Sequence, residues 1–138
     1  MAAMMNAADY DAFFHDGSII NIQHTNNKIE ISMESAEISE NDLKDDIDLS
    51  KYNTLKGKLH LEDVKSILDN DQPFTGLLKM QFDSAIILDL KIVKNKIKMF
   101  LEWTNYPPHA EIAAYSNYEI EAKKIWWENI PALYDPFA

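Results

Sequence analysis

The sequence predicts a mainly β fold of antiparallel hairpins, packed as a two-layer sandwich or a curled sheet. At most one or two short helices are expected, with an α+β arrangement as the alternative. Three observations carry this. Apolar and polar residues alternate with period two along much of the chain, as a strand with one wet face requires. Turn residues that tolerate positive φ fall between the alternating runs. The 138 residues are 46% hydrophobic, and a chain of this length buries roughly two thirds of its unfolded surface. One domain over residues 1–138 is therefore expected.

The elements follow in chain order. Ser18–Thr25 reads as a strand, with Ile20 and Ile22 on one side and Asn21 and Gln23 on the other. Asn26-Asn27 supplies the turn, and residues 28–35 return with Ile29, Ile31 and Met33 opposite Glu30, Ser32 and Glu34. Residues 37–48 read as an exposed acidic loop with room for one helical turn. Residues 54–61 alternate again through Leu55, Leu59 and Leu61, with Gly57 marking a bulge or a close backbone approach. Over residues 62–69, Val64, Ile67 and Leu68 fit a short helix or a further strand equally well.

Residues 69–76, with Pro73, read as a turn, and 77–82 as a short strand. Ile86, Leu88, Leu90 and Ile92 then alternate into a Lys94-Asn95-Lys96 turn. The returning strand carries Ile97, Met99, Leu101 and Trp103 on its apolar face. A loop over 105–117 with Pro107-Pro108 precedes a long strand over 118–127. Its end, Ile125-Trp126-Trp127, is apolar on both faces. Residues 129–138, with Pro131 and Pro136, read as an extended tail against the core.

Two segments echo each other. Asp16-Gly17-x-Ile19-Ile20 matches Asp83-Ser84-x-Ile86-Ile87 at a spacing of 67, while Asn27-Lys28-Ile29 matches Asn95-Lys96-Ile97 at 68. This points to half-repeats over 14–61 and 82–128 and a pseudo-symmetric sheet. Shared hairpin grammar is the alternative source of such matches.

Charge and composition narrow the function. There are 23 acidic and 13 basic residues, a net charge of −10, and every basic residue is lysine. Nucleic-acid binding needs cations along a phosphate track, which this balance opposes. A basic partner suits it better, and solubility alone also accounts for it. No apolar run approaches the roughly twenty residues of a membrane helix, and the N-terminus does not read as a signal peptide. No membrane partner and a cytoplasmic location are expected. With no cysteine, disulfides, thiolate metal sites and cysteine nucleophiles are excluded.

No catalytic constellation emerges. His15-Asp16 superficially suggests a metal pair, but strand neighbours point to opposite faces, and Asp16-Gly17 suits a turn. His15, His24, His60 and His109 lack zinc-pair spacing. Asp42, Asp45, Asp46 and Asp48 lack the central glycine and closing glutamate of a calcium loop. With Gly17, Gly57 and Gly76 as the only glycines, no phosphate-cradling loop or nucleophile elbow exists. No cofactor and no metal are expected. His24, Glu30 and Glu102 are the residues that could serve a cleft between sheets. Glutamates on a wet strand face are also commonly just solvated. The late aromatic cluster of Trp103, Trp126, Trp127, Tyr115, Tyr118 and Tyr134 suits core packing or a recognition surface.

The stretch Phe14-His15-Asp16-Gly17-Ser18-Ile19-Ile20, its Asn turn and Ile29-Glu30-Ile31-Ser32-Met33-Glu34-Ser35 resemble small acidic bacterial domains. Immunity proteins of polymorphic toxin systems are among these, and the hairpin over 83–103 fits the same pattern. The resemblance implies a non-enzymatic module that neutralises a basic toxin. The expected partner-binding residues are Glu37, Glu40, Asp42, Asp45, Asp46 and Asp48. The alternatives are a small-ligand-binding domain or minor hydrolase using the inter-sheet cleft, and a self-associating module. A homodimer would use outer strand edges or the Trp126-Trp127 surface.

Overall fold

The computed structural model describes residues 4–43 and 47–133. Eight strands are present: β1 (Met4–Asn6), β2 (Ser18–Thr25), β3 (Lys28–Glu34), β4 (Lys56–Asp69), β5 (Gln72–Pro73), β6 (Ser84–Val93), β7 (Lys96–Thr104) and β8 (Ala114–Asn129). All pairings are antiparallel. The helical content of the described residues is three 3-10 turns, Ala7–Asp9, Asp11–Phe14 and Glu40–Asp42.

The strands run in the order β1-β8-β7-β6-β2-β3-β4-β5, and β8 also pairs with β4. The sheet therefore curls until six strands close a ring. One side of each strand fills the interior. Ile29, Ile31 and Met33 of β3, Leu59 and Leu61 of β4, and Ile97, Met99, Leu101 and Trp103 of β7 are all buried. Each fully buried aliphatic side chain contributes about 1.5–3 kcal/mol. The Trp103 indole N–H donates to Ser116 Oγ at 2.8 Å, which satisfies its one polar atom inside the core.

Closure depends on bends, and the bends are bulges. The β2–β3 register shifts between Ile19 and Asn21, and the β6–β7 register between Ile87 and Asp89. Each adds one residue, Ile20 or Leu88, and rotates the rest of its strand to the other face. The simple alternation expected through Ile20–Ile22 and Ile86–Ile92 is thereby corrected. The buried residues are Ile19 and Ile22 in β2, and Ala85, Ile87, Leu90 and Ile92 in β6.

A third bulge explains the ambiguous stretch 62–69. It is strand throughout, a continuation of β4. The β4–β8 register shifts between Val64 and Ser66, and Asp63 takes φ +54°. That break in a two-residue period gives Val64, Ile67 and Leu68 their helix-like spacing. Residues 77–82 form no strand. Leu78 is buried there, and its N–H donates to the His24 ring rather than to a neighbouring strand. At the end of β8, Trp127 points inward and is 1% exposed, while Trp126 lies on the outer face. Of the tail, residues 134–138 lie outside the described residues.

The ring is built from two meanders, β2-β3-β4 and β6-β7-β8, that join at β2–β6 and β4–β8. Both hairpins have two-residue turns: Thr25 pairs Lys28, and Val93 pairs Lys96. The first turn residue is left-handed in each, Asn26 at φ +54° and Lys94 at φ +56°. The two hairpins thus correspond at one spacing of 68 (25 to 93, 28 to 96) in both arms. The 67-residue match of the opening arms is a one-residue slip. Ser18 pairs Ile86, its own equivalent at that spacing, so the approximate twofold axis passes through this pair. At the opposite seam the Val64 N–H donates to Asn27 O and the Ala122 N–H to Asn95 O, both at 2.9 Å. The short strands correspond too: Met5 and Pro73, one 68-residue spacing apart, pair Trp127 of β8 and Leu68 of β4.

Candidate functional site

The acidic segment lies in the connection from β3 to β4, and the described residues at its two ends are held by hydrogen bonds. The Ser35 N–H donates to Leu55 O, the Leu55 N–H returns to Ser35 Oγ, and the Ile38 N–H donates to Asn53 O, each at 2.8 Å. Thr54 Oγ1 donates to Glu34 Oε2 at 2.6 Å, and Asn129 Nδ2 donates to Asp48 O at 2.8 Å. Ile38, Ile47 and Leu55 anchor the loop in the core. Glu37, Asp42 and Asp48 are exposed and form no ion pair among the described residues. Glu40 sits in the 3-10 turn. Asp45 and Asp46 lie outside the described residues.

The three cleft candidates do not meet. His24 Nδ1 accepts the Leu78 N–H at 2.8 Å, so its proton sits on Nε2 and is donated to Asn26 O at 3.0 Å. Both ring nitrogens are spent on fixing backbone. Glu30 faces Lys28 Nζ at 3.7 Å, Lys58 Nζ at 3.9 Å and His60 Nδ1 at 3.6 Å. Glu102, in the other meander, accepts the Tyr115 hydroxyl at 3.0 Å. That bond to a carboxylate raises the Tyr115 hydroxyl above its ordinary value of 10.0. The barrel interior offers no replacement cleft at the core layer of Tyr10, Phe14, Met33, Leu59, Leu90 and Trp127. The space between them is too small for a water molecule.

A polar cluster that the sequence analysis did not single out crosses the outer face of β3, β4 and β8. His60 is buried and stacks on Trp126, with ring centres 4.0 Å apart and planes 7° from parallel. Its Nε2 bonds Glu128 Oε1 at 2.8 Å, and the Trp126 indole N–H donates to Glu62. His60 Nδ1 is buried without a hydrogen-bond partner. Each carboxylate here already faces a cation or a donor, so the cluster ties the β4–β8 seam together. The signal for it was His60 on the wet side of an alternating strand and Trp126 in a run apolar on both faces, and it is readable only once β4 and β8 are known to be neighbours.

His15 and Asp16 are exposed, 3.7 Å apart, and Asp16 takes φ +67° within the turn that the Gly17 N–H closes by donating to Phe14 O. Among the described residues no group of three or more His, Asp or Glu side chains is placed to hold a metal ion. No described helix is long and apolar enough to cross a membrane. Compared with protein-family models, curated proteins and solved structures, the chain matches none.

Proposed function

We propose that the protein is a non-enzymatic binding module of the immunity-inhibitor kind, docking a basic partner on the β3–β4 loop. One observation carries this reading: the loop presents Glu37, Asp42 and Asp48 unpaired on a backbone pinned at both ends. Fixed, unneutralised carboxylates steer a cationic surface and lose little entropy on docking. The filled core layer and the structural use of His24 and His60 support binding over catalysis. On this reading the protein works in the cytoplasm, holding its target before the target acts.

The test is a pull-down from source cells at low salt, followed by calorimetry with the purified partner. A basic protein binding 1:1, with affinity falling as salt rises, is expected. Asp→Asn changes at 42, 45, 46 and 48 should weaken it by at least about tenfold, or 1.4 kcal/mol. Undiminished binding by that variant would overturn the reading.

A further inference from the structure

The other meander presents the opposite charge on its outer face. Lys91 lies directly across from Lys98, Lys96 pairs Val93, and Lys94 occupies the turn. Residues 91–98 thus hold four lysines and no acid, in a chain of net charge −10. Like charges directly opposite on neighbouring strands destabilise a sheet. One of them is answered, by Glu119 at 3.8 Å from Lys98. Lys91, Lys94 and Lys96 form no ion pair among the described residues.

The approximate symmetry sharpens the contrast. The positions equivalent to Lys91, Lys94 and Lys98 hold Gln23, Asn26 and Glu30. Glu30 is surrounded by Lys28, Lys58 and His60 within 4.0 Å, so that face balances its own charge. The lysine face does so only in part: Lys98 is answered by Glu119 and Lys96 lies opposite Glu121 in the β7–β8 register, while Lys91 lies opposite Lys98 and Lys94 occupies the turn. The face continues into an exposed apolar strip, with Val93 53%, Phe100 41% and Tyr115 56% exposed. Phe100 and Tyr115 stack at 5.9 Å. A groove of about 620 Å³ runs over the hairpin, lined by Lys91, Lys94, Lys96 and Lys98 and, on its β8 side, by Glu119 and Glu121, so lysines outnumber acids along it.

We infer that this face docks the acidic β3–β4 loop of a second copy of the chain. Charge complementarity selects that occupant. The loop sets Glu37, Glu40, Asp42, Asp45, Asp46 and Asp48 against the single Lys44, and no ion pair joins loop and hairpin within one copy among the described residues. Two unsatisfied surfaces of opposite sign on one molecule pair readily between molecules. At about 0.15 M salt the Debye length of about 8 Å screens the long-range repulsion of two acidic bodies and leaves the contact. The strand-edge and Trp126-Trp127 routes to a dimer are less available. Each of the six ring strands has a neighbour on both sides, β2 and β6 meeting over Ser18–Ile86 and Ile19–Ala85, and Trp127 is buried.

The inference uses the same loop as the proposed function but tests a different surface. Sedimentation of the full chain at about 0.15 M salt should show concentration-dependent self-association. K91E/K98E should weaken it at least tenfold while the circular dichroism stays unchanged; K94E/K96E serves as a second, independent pair. Mixing K91E/K98E with D42K/D48K should restore association. A monomer at every concentration, or association indifferent to both lysine pairs, overturns the inference. A wild-type monomer that binds a poly-glutamate peptide through these lysines overturns it too, assigning the face to a foreign acidic chain. Because the lysine variants leave the loop intact, K91E/K98E keeps capturing a basic partner if the proposed function holds, whatever happens to self-association.

Discussion

Asp83 shows how one side chain fixes a loop. Its Oδ2 accepts from His109 Nδ1 at 2.7 Å and from the Tyr106 N–H at 2.8 Å, and its own N–H donates to Asn105 Oδ1 at 3.2 Å. The His109 bond first, then the Tyr106 bond, hold the Asp83 carboxyl below its ordinary value of 3.8. A depressed carboxylate contributes stability above its unfolded value and loses it as pH falls through the folded one. The β7–β8 loop should therefore loosen only below pH 3.8. In an NMR titration the Tyr106 and His109 signals should move in that window, ahead of the barrel signals. Asp83→Asn should displace the same signals at neutral pH and leave the barrel folded. Loop signals that move only with global unfolding would contradict this account.

Among the elements, the long strand β4 pairs with β3 and β8 at once and so closes one seam of the ring. Gly57 lets it do so. A Cβ there would lie 2.1 Å from the Glu128 carbonyl oxygen and 2.9 Å from the Ile130 nitrogen. Both are backbone atoms of the facing segment and cannot step aside as a flexible side chain would. Gly57→Ala should cost more than about 2 kcal/mol, at the upper end of ordinary substitutions, measured by urea denaturation. A loss under about 0.5 kcal/mol, the range of a neutral surface change, would show that the seam can part freely. The close approach at Gly57 was legible as a lone glycine in an alternating run. The bulges at Ile20, Lys65 and Leu88 were not, since an extra residue changes the phase of a period without any residue type announcing it.

At the scale of the whole molecule, stability resides in ring closure. Each meander alone would expose two long unpaired edges, β2 and β4 in one, β6 and β8 in the other. Such edges template aggregation rather than folding. Chains cut between β5 and β6 should each fail to give a dispersed, protected monomer by NMR. Co-expressed, they should assemble into one soluble particle with the circular dichroism of the intact protein. A soluble, protected single half would show that closure is dispensable. The two poles of charge also belong to this scale: one meander carries the acidic loop and a self-neutralising face, the other the lysine hairpin.

Alternation and turn chemistry determined the strands, the hairpins and the interior role of residues such as Ile29, Ile31, Met99 and Trp103. They did so because both are local properties of two to eight residues. The likeness of the two hairpins was visible for the same reason, although the spacing read for the opening arms slipped by one residue. Tertiary structure alone decided that β8 returns to β4, that His60 meets Trp126 and Glu128, and that His24, Glu30 and Glu102 stay apart. These are contacts between residues far apart in the chain, set by where a curling sheet meets itself. The charge of each segment was written in the sequence. Which charges would find partners depended on the fold, because only neighbours in space can neutralise one another.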